Sequence, residues 1–419
     1  MRNGSAFCER DITTISSNPA DLDSTSARLL QKGPIAGVSL PGNINTWAIS
    51  HHHTLRQIVA DPRFTRDWRH WRALQEGEIP ENHPLIGMCR LDNMVTAHGA
   101  DHKRLRGVLS KSFTPQRIAQ MRPSIEQRVA ELIAAMKQQG SPVDLMANFA
   151  IPLPTMVITE LFGLPDQLRA EIVGLTNSLA STEATPEEAR ATRERIPRFF
   201  DQLVKTKQLN LSDDLASALI LARDNGELTS DTELLDMLFM VLSAGFITTS
   251  GVIGNGVQAL LTHPDQLQML RNGAISWEQA IEEILRWGSS VAYLPFRYAM
   301  EDMDIGGRHI RRGDAVLMAF HAANRDPNEF GPNASQFDIT RKNNRHLSFG
   351  QGPHFCLGAA LARLELMSAL PALFTHFTDL ALATADEDIS YMPSYVIRCP
   401  LTLPVSFRNT PQKMEGTHA

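Results

Sequence analysis

The sequence predicts a mainly α-helical protein with small β-sheets. Apolar residues recur with helical periodicity through most of the chain after residue 98. Strand-like patterns are confined to three stretches, at about residues 35–49, 291–317 and 388–407. Of the 419 residues, 43% are hydrophobic and 21% are charged, which suffices for one large core.

The individual helices can be placed from the same periodicity and from Pro, Gly, Ser or Asp at their ends. They are predicted at residues 117–138, 146–163, 185–208, 231–262, 276–288 and 357–374. No internal repeat or low-complexity linker divides them, so we expect one domain over residues 1–419. Within it, we predict an N-terminal segment at 1–34 and a flexible tail at 408–419.

The segment 62–97 breaks the periodicity with prolines and contains Trp68 and Trp71. Long irregular segments in compact domains are commonly binding loops or lids. We therefore predict that this segment covers a ligand. The run of three histidines at 51–53 has no accompanying cysteine or carboxylate cluster, so we interpret it as a solvated helix start and not as a metal site.

Charge and hydropathy exclude several classes of function. A formal net charge of −6 and a pI near 6.2 provide no positive field for nucleic acid. The N-terminus lacks the apolar core of a signal peptide, and the most apolar run, 237–247, is too short to cross a bilayer. We therefore expect a cytoplasmic protein that binds no membrane.

Cys356 lies in the stretch SFGQGPHFCLGAALARLEL, residues 348–366, between glycines and a helical pattern. A lone cysteine is most often a small buried apolar residue. However, glycines allow a backbone to approach a flat cofactor closely. A helix that begins just after the cysteine directs its free amides and positive dipole end at the sulfur, which lowers the thiol pKa and favours a metal-binding thiolate.

The loop around this cysteine resembles the haem-thiolate signature of the cytochrome P450 family in six positions: Phe349, Gly350, Gly352, His354, Cys356 and Gly358. The resemblance extends over about residues 35–407 and implies the cytochrome P450 fold. It implies haem b, iron protoporphyrin IX, as the cofactor and Cys356 as the metal ligand. It also implies a structural triad of Glu283, Arg286 and Arg341, in which the first two lie on one face of a helix.

Haem carries two propionates, and a protein that buries them must supply cations. Four residues at positions that match the family are candidates: His102, Arg106, Arg297 and His354. Taken singly, each would be an ordinary surface charge. Together with a thiolate ligand, we interpret them as the propionate-binding set.

The predicted helix 231–262 contains LSAGFITTSG, in which hydroxyls and glycines favour local distortion of the helix. A flexible core helix is the alternative. The family resemblance implies that Ala244 and Gly245 leave room for dioxygen and that Thr248 assists its protonation. Because the acid that usually precedes this threonine is Ile247 here, we expect protons to arrive through Thr249, Ser250, ordered water or a substrate hydroxyl.

The resemblance implies a soluble, bacterial-type haem-thiolate monooxygenase that hydroxylates or epoxidises a fairly large apolar molecule, such as a polyketide, terpenoid or steroid-like compound. Helical spacing directs Met240, Ser243, Ala244 and Thr248 toward this substrate, whereas Tyr293 and Val396 follow from the resemblance alone. Electrons are expected from a ferredoxin and its NAD(P)H-dependent reductase. Expected contacts for the ferredoxin on the cysteine side are Lys103, Arg104 and Arg345.

Two other functions remain open at this point. One is a haem-thiolate enzyme that performs oxidative coupling or dehydrogenation without oxygen insertion. The other is a non-catalytic haem-binding relative, such as a sensor or an electron carrier. An intact cysteine loop is compatible with all three.

Overall fold

The computed structural model describes residues 12–408, except position 82 and the positions 165–167, 169–170, 173, 176–177 and 179–183. The predicted tail therefore lies almost wholly outside the described residues. The rest of the chain is mainly helical with small sheets, which confirms the predicted fold class.

The helices are numbered in chain order. They are α1 (Leu22–Lys32), α2 (His52–Ala60), α3 (Arg72–Gln75), α4 (Pro84–Cys89), α5 (Gly99–Ser110), α6 (Pro115–Gln120), α7 (Arg122–Gln139), α8 (Pro152–Phe162), α9 (Pro186–Gln208), α10 (Leu215–Asp224), α11 (Asp231–Thr262), α12 (Pro264–Arg271), α13 (Trp277–Trp287), α14 (Phe320–Ala323), α15 (Pro327–Phe330) and α16 (Ala359–His376). A π-helical turn, Met146–Ala150, precedes α8.

The strands form three small sheets. They are β1 (Thr13–Thr14), β2 (Ile35–Leu40), β3 (Ile44–Ile49), β4 (Phe64–Thr65), β5 (Val143–Asp144), β6 (Leu294–Ala299), β7 (Met303–Ile305), β8 (Arg308–Ile310), β9 (Ala315–Met318), β10 (Ala381–Leu382) and β11 (Pro404–Ser406). The largest sheet has the order β1-β2-β3-β9-β6-β4, and the others are β10-β11-β5 and β7-β8.

Most predicted helices agree with the structure to within a few residues, but the prediction that strands are confined to three stretches is wrong, because the two-residue strands β1, β4, β5 and β10 lie outside them. Two-residue strands are too short to produce a recognisable alternation in the sequence. The helix predicted at 117–138 is divided between α6 and α7, because Pro123 at the start of α7 favours a new helix N-terminus. The stretch 388–407 contains only β11 and two isolated bridges. Its prolines remove the backbone donors that a continuous strand needs.

Residues 12–34 of the predicted N-terminal segment and the histidine run are both part of the folded body, whereas residues 1–11 lie outside the described residues. Strand β1 pairs in parallel with β2 and so adds an edge to the largest sheet. The histidine run does begin a helix, α2, but the prediction of a solvated start is wrong for His52. Its ring is buried and its Nε2 lies 2.8 Å from the carbonyl oxygen of Arg345, while its amide donates to Asp326.

Helix α11 runs through the centre of the molecule. Among the described residues it is the helix long and apolar enough to cross a membrane, but its most apolar window is 78% buried inside the protein. It is therefore a core helix. The helix is continuous through this stretch, and the hydroxyls of Ser243, Thr248 and Ser250 donate to carbonyl oxygens of their own helix, four residues earlier, a pattern that often bends helices. The local distortion stays a prediction.

The residues Glu283, Arg286 and Arg341 form a buried ion-pair cluster behind the cysteine loop. The Arg286 guanidinium contacts both carboxylate oxygens of Glu283 at 2.7 Å. Arg341 lies 3.4 Å from the same carboxylate. Arg286 also donates to the carbonyl oxygen of Asn324 at 2.6 Å, and the Asn324 side chain bonds Ser348 and the amide of residue 347. The cluster is thus linked to the start of the cysteine loop by hydrogen bonds.

We predict that Glu283→Gln lowers the free energy of unfolding by about 3–5 kcal/mol, because it leaves the Arg286 charge buried without an anion. Urea denaturation measures this loss. Glu194→Gln is the control, since Glu194 forms an exposed pair with Arg190 on α9 and its loss should cost less than about 0.5 kcal/mol. Equal effects of the two substitutions would contradict a stabilising role for the buried cluster.

Candidate functional site

A cavity of about 430 Å³ lies between α11, the loop 348–358 and the segment 88–96. Its lining is predominantly apolar, with a few charged and hydroxyl side chains at defined places. The prediction that the segment 62–97 covers a ligand site is supported at its C-terminal end, where Met88, Leu91 and residues 93–96 line the cavity. Cavities of this kind are typical of binding sites for small apolar molecules.

Cys356 borders this cavity. Gly350 and Gly352 adopt the left-handed region, with φ of 67° and 73°, which fixes the turn before the cysteine. The Cys356 amide donates to the carbonyl oxygen of Phe349 at 2.8 Å. Its accessible surface faces the cavity, while protein surrounds the rest of the side chain. Gly358 also lines the cavity, and a Cβ added there would meet no atom within 4 Å.

The ionisation of Cys356 differs from the sequence prediction. Burial is the largest influence and raises the pKa of the thiol, whereas the Gly358 amide, Arg106 and Arg363 act in the opposite direction. Helix α16 begins at Ala359, two residues later than predicted, so its N-terminus lies further along the chain from the sulfur. Protein groups therefore partly compensate the cost of a thiolate, and a bound metal ion would favour it further.

The four candidate cations converge on one side of the cavity. His102 and Arg106 extend from α5, Arg297 from β6 and His354 from the cysteine loop. The rings of His102 and His354 lie 4.1 Å apart between centroids. Arg297 is only 4% exposed. The four residues selected from the sequence therefore lie close together in the structure.

These cations lack anionic partners among the residues that the structure describes. His102 Nε2, Arg106 Nη1 and Arg297 Nε are buried without a hydrogen bond. Burial, followed by Arg106, lowers the pKa of His102 to about 4, and burial with Arg66 lowers that of Arg297 to about 9. Burial is also the main reason that the pKa of His354 is lowered. Such a cluster is suited to binding a dianionic ligand.

Comparison with known proteins identifies the family. A sequence model described as Cytochrome P450 matches residues 277–401. The chain is 40% identical to 2-hydroxy-5-methyl-1-naphthoate 7-hydroxylase of Streptomyces carzinostaticus, over 93% of this chain and 96% of that one. It belongs to the cytochrome P450 family. Cytochrome P450 monooxygenase PikC of Streptomyces venezuelae is 36% identical, over 93% of this chain and 92% of PikC.

A solved structure shows the same fold. CYP154C4 from Streptomyces sp. W2061 superposes with a TM-score of 0.91 at 38% sequence identity, covering 94% of this chain and 97% of that one. The mainly helical architecture is therefore the cytochrome P450 fold. The chain is a cytochrome P450 monooxygenase, a haem-iron enzyme that uses dioxygen, a redox partner and a small-molecule substrate.

The residues present fit a haem. The unbonded buried nitrogens of His102, Arg106 and Arg297 can donate to two propionates. The open space at Gly358 admits a flat ring system, and the thiol of Cys356 borders the same space. Phe349 also lines this part of the cavity, with the guanidinium of Arg363 over its ring at 4.6 Å from the centroid.

Helix α11 supplies the opposite wall of this P450 cavity. The residues of α11 that line it include Met240, Ser243, Ala244, Gly245, Ile247, Thr248 and Thr249. The Thr248 hydroxyl donates to the carbonyl oxygen of Ala244 at 2.9 Å. Ile247 faces the cavity, so it does not merely pack against a neighbouring helix.

Gly245 has a packing role that the family resemblance did not imply. A Cβ added there would lie 2.6 Å from side-chain atoms of Ile158 on α8. The space next to this glycine is therefore occupied by a neighbouring helix, whereas Ala244 borders the open cavity. The absence of a side chain at Gly245 allows α8 and α11 to approach closely.

Of the two substrate contacts expected from the resemblance alone, the structure places only Val396 at the cavity. Tyr293 lies elsewhere. It is 1% exposed, its ring packs against Tyr395, and burial raises the pKa of its phenol. Val291 and Leu294, close to it in sequence, line the cavity instead.

Two ionisable residues of the cavity lining were missed by the sequence reasoning. Arg66, just after β4, was part of the irregular segment and had no motif around it. Glu365 lies within the helical pattern of α16 and resembled an ordinary surface glutamate. Among the described residues that line the cavity, Glu365 has the one acidic side chain. Its Oε2 is buried without a hydrogen-bond partner, and burial raises the pKa of its carboxyl group well above the usual value, which favours the neutral acid.

The three expected ferredoxin contacts differ in availability. Lys103 is exposed on α5. Arg345 is 70% exposed, although it lies 3.3 Å from Glu329. Arg104 is engaged inside the protein, where it contacts both carboxylate oxygens of Glu233 at 2.7 and 2.9 Å. Arg104 is therefore a poor candidate for contact with a partner.

We predict that Gly245→Ala lowers the free energy of unfolding by about 1–3 kcal/mol, because the added methyl overlaps Ile158. The same substitution in an Ile158→Ala background should have little effect, which a double-mutant cycle measures. Gly107→Ala is the matched control: it places the methyl in open space on exposed α5 and should stabilise by about 0.4–1 kcal/mol. Identical effects at the two glycines would refute the packing role.

Proposed function

We propose that this cytochrome P450 binds haem b through Cys356 and hydroxylates or epoxidises a fairly large apolar molecule of secondary metabolism. The observation that supports this most directly is one cavity bordered by the Cys356 thiol, an unpaired cation cluster and the hydroxyls of α11. With dioxygen and two electrons, a haem held by a thiolate supplies the oxidising chemistry, because the thiolate favours O–O cleavage. The protein supplies positioning, exclusion of water and protons.

The side chains of the site have distinct roles in this proposal. Cys356 binds the iron, and Phe349 and Gly358 shape the space around it. His102, Arg106, Arg297 and His354 bind the propionates. Met240, Ser243, Ala244 and Val396 contact the substrate, and the small side chain of Ala244 leaves room for dioxygen. The apolar lining desolvates the substrate and favours a molecule with few charges.

The substrate class is supported by relatives as well as by the lining. The relative from Streptomyces carzinostaticus is named for hydroxylation of a naphthoate, which is a bicyclic aromatic compound. Another, 34% identical, is named as a vitamin D(3) 25-hydroxylase. Both names describe largely apolar ring systems. We propose a substrate of comparable size, bound beneath residues 88–96.

Electrons are proposed to come from a ferredoxin and its NAD(P)H-dependent reductase in the cytoplasm. Lys103 and Arg345 are the exposed cations proposed to meet an acidic ferredoxin on the cysteine side. Product analysis with such a system separates oxygen insertion from coupling or dehydrogenation. A ligand that changes the haem spin state but yields no product with any ferredoxin would favour a non-catalytic haem protein.

We predict that Cys356→His abolishes the long-wavelength absorption of the reduced carbon monoxide complex that gives the cytochrome P450 family its name. The thiolate is the source of that shift, and imidazole cannot reproduce it. Cys399→Ala is the control, because Cys399 is buried away from the cavity and its loss should leave the band in place. A band that survives Cys356→His would refute the assignment of Cys356 as the iron ligand.

Proton delivery in this chain is proposed to use Thr248 and Glu365. Ile247 cannot donate a proton where relatives of this family usually have an acid. Glu365 borders the same cavity as Thr248 and Thr249, and it holds a proton because burial raises its pKa. Water molecules in the cavity, Thr249 or a substrate hydroxyl connect the two groups. Thr248 then orients the last donor toward dioxygen.

We predict that Glu365→Gln increases the peroxide released per NADH consumed, because glutamine fills the same space but donates no exchangeable acid proton. Thr248→Ala should have a similar effect. Both variants should also change the solvent isotope effect on product formation, which a purely structural role would not alter. If coupling and isotope effect in both variants match the parent enzyme, this proton route is wrong.

A further inference from the structure

Arg66 lies directly beside Arg297 in the largest sheet. Strands β4 and β6 are antiparallel, with Phe64 opposite Ala299 and Thr65 opposite Tyr298. Continuing this register by one residue places Arg66 opposite Arg297. Residues that face each other across an antiparallel pair project from the same face of the sheet, and both arginines line the cavity.

This arrangement is costly without an anion. Like charges directly opposite each other in a sheet are destabilising, and here both guanidinium groups are also removed from water, with exposures of 6% and 4%. Among the residues that the structure describes, no carboxylate lies within ion-pair distance of either group. Arginine keeps its charge at neutral pH, so deprotonation does not relieve the repulsion.

The protein satisfies only a small part of the hydrogen-bonding capacity of this pair. Arg66 Nη2 donates to the carbonyl oxygen of Pro295 at 3.2 Å, and the Nε atoms of both arginines are buried without a partner. A guanidinium has five N–H donors, so one carbonyl leaves most of them unused. A carboxylate between the two side chains would accept from both and would neutralise the repulsion.

We propose that Arg66 and Arg297 together bind one carboxylate, and that a haem propionate supplies it. This makes Arg66 a fifth cofactor-binding cation, in addition to His102, Arg106, Arg297 and His354. The proposal rests on the proposed binding of haem in this cavity. The same chemistry could be offered by a carboxylated substrate, and the experiment distinguishes the two sources.

The test begins with the transfer of haem from the holoenzyme to apomyoglobin. Arg66→Met should accelerate transfer by about tenfold or more, the factor expected for loss of a charge-assisted hydrogen bond. Arg66→Lys keeps the charge but not the planar pair of donors, so its transfer rate should lie between those of Met and Arg. Arg63→Met is the matched control, because Arg63 is three residues away, 48% exposed and paired with Asp61, and its transfer rate should not change.

A second arm examines ligands of the substrate cavity. Spin-state titrations compare 2-hydroxy-1-naphthoate with its methyl ester in the parent enzyme and in Arg66→Lys. Suppose that haem transfer is accelerated. Equal losses of affinity for the acid and the ester, or no loss for either, then support a haem propionate as the source of the carboxylate. If haem transfer is unchanged and only the affinity for the acid falls, the haem propionate is not the ligand of Arg66, and the carboxylate belongs to the substrate.

Two further outcomes separate this proposal from the assignment of the cofactor. If haem transfer and both affinities are unchanged in Arg66→Met and Arg66→Lys, Arg66 binds no carboxylate and the proposal is overturned. In that case a normal reduced carbon monoxide spectrum of the parent enzyme leaves the haem-thiolate function standing. Absence of that spectrum in the parent would overturn the proposed function and this inference together.

Discussion

Buried positive charge is the constraint around which this protein is organised. Arg66 and Arg297 at the sheet edge, together with Arg106, surround a space in which the described chain places no acidic partner. Desolvated charges of one sign oppose folding unless an anion joins them. A ligand that binds the folded state alone stabilises it, so retention of a dicarboxylate cofactor and stability of this region are coupled. The rest of the cavity lining is apolar, and substrate selectivity depends on its contacts.

The geometry of the cysteine loop depends on a second charge cluster, in which the arginines share a carboxylate partner. Arg286 is neutralised by Glu283 and donates to the Asn324 carbonyl oxygen, and the Asn324 side chain holds the backbone at Leu347 and the hydroxyl of Ser348. Ser348 in turn donates to the carbonyl oxygen of Leu285, one residue before Arg286. This closed set of hydrogen bonds fixes the approach to the glycine turn, so the sulfur has a defined position before any cofactor binds.

The sequence revealed features that depend on short-range patterns. Long helices such as α11 follow from periodicity, and the cysteine loop has a dense local motif. Arg66 could not be identified from the sequence because its significance arises from strand register with Arg297. Tyr293 was assigned to the substrate by family resemblance alone, which carries no information on the packing of this chain around it. The stretch 388–407 was read as strand because apolar alternation does not report missing backbone donors at its prolines.

Arg66 and Glu365 show how two buried ionisable groups without an oppositely charged partner lead to different conclusions. A glutamate can remove its own cost of burial by holding a proton, and burial raises the pKa of Glu365 accordingly. It therefore requires no ligand, but it becomes an acid that can give a proton when negative charge develops nearby. An arginine has no such option at neutral pH and must be joined by an anion. The unpaired glutamate thus indicates a proton donor, whereas the unpaired arginine indicates a bound carboxylate.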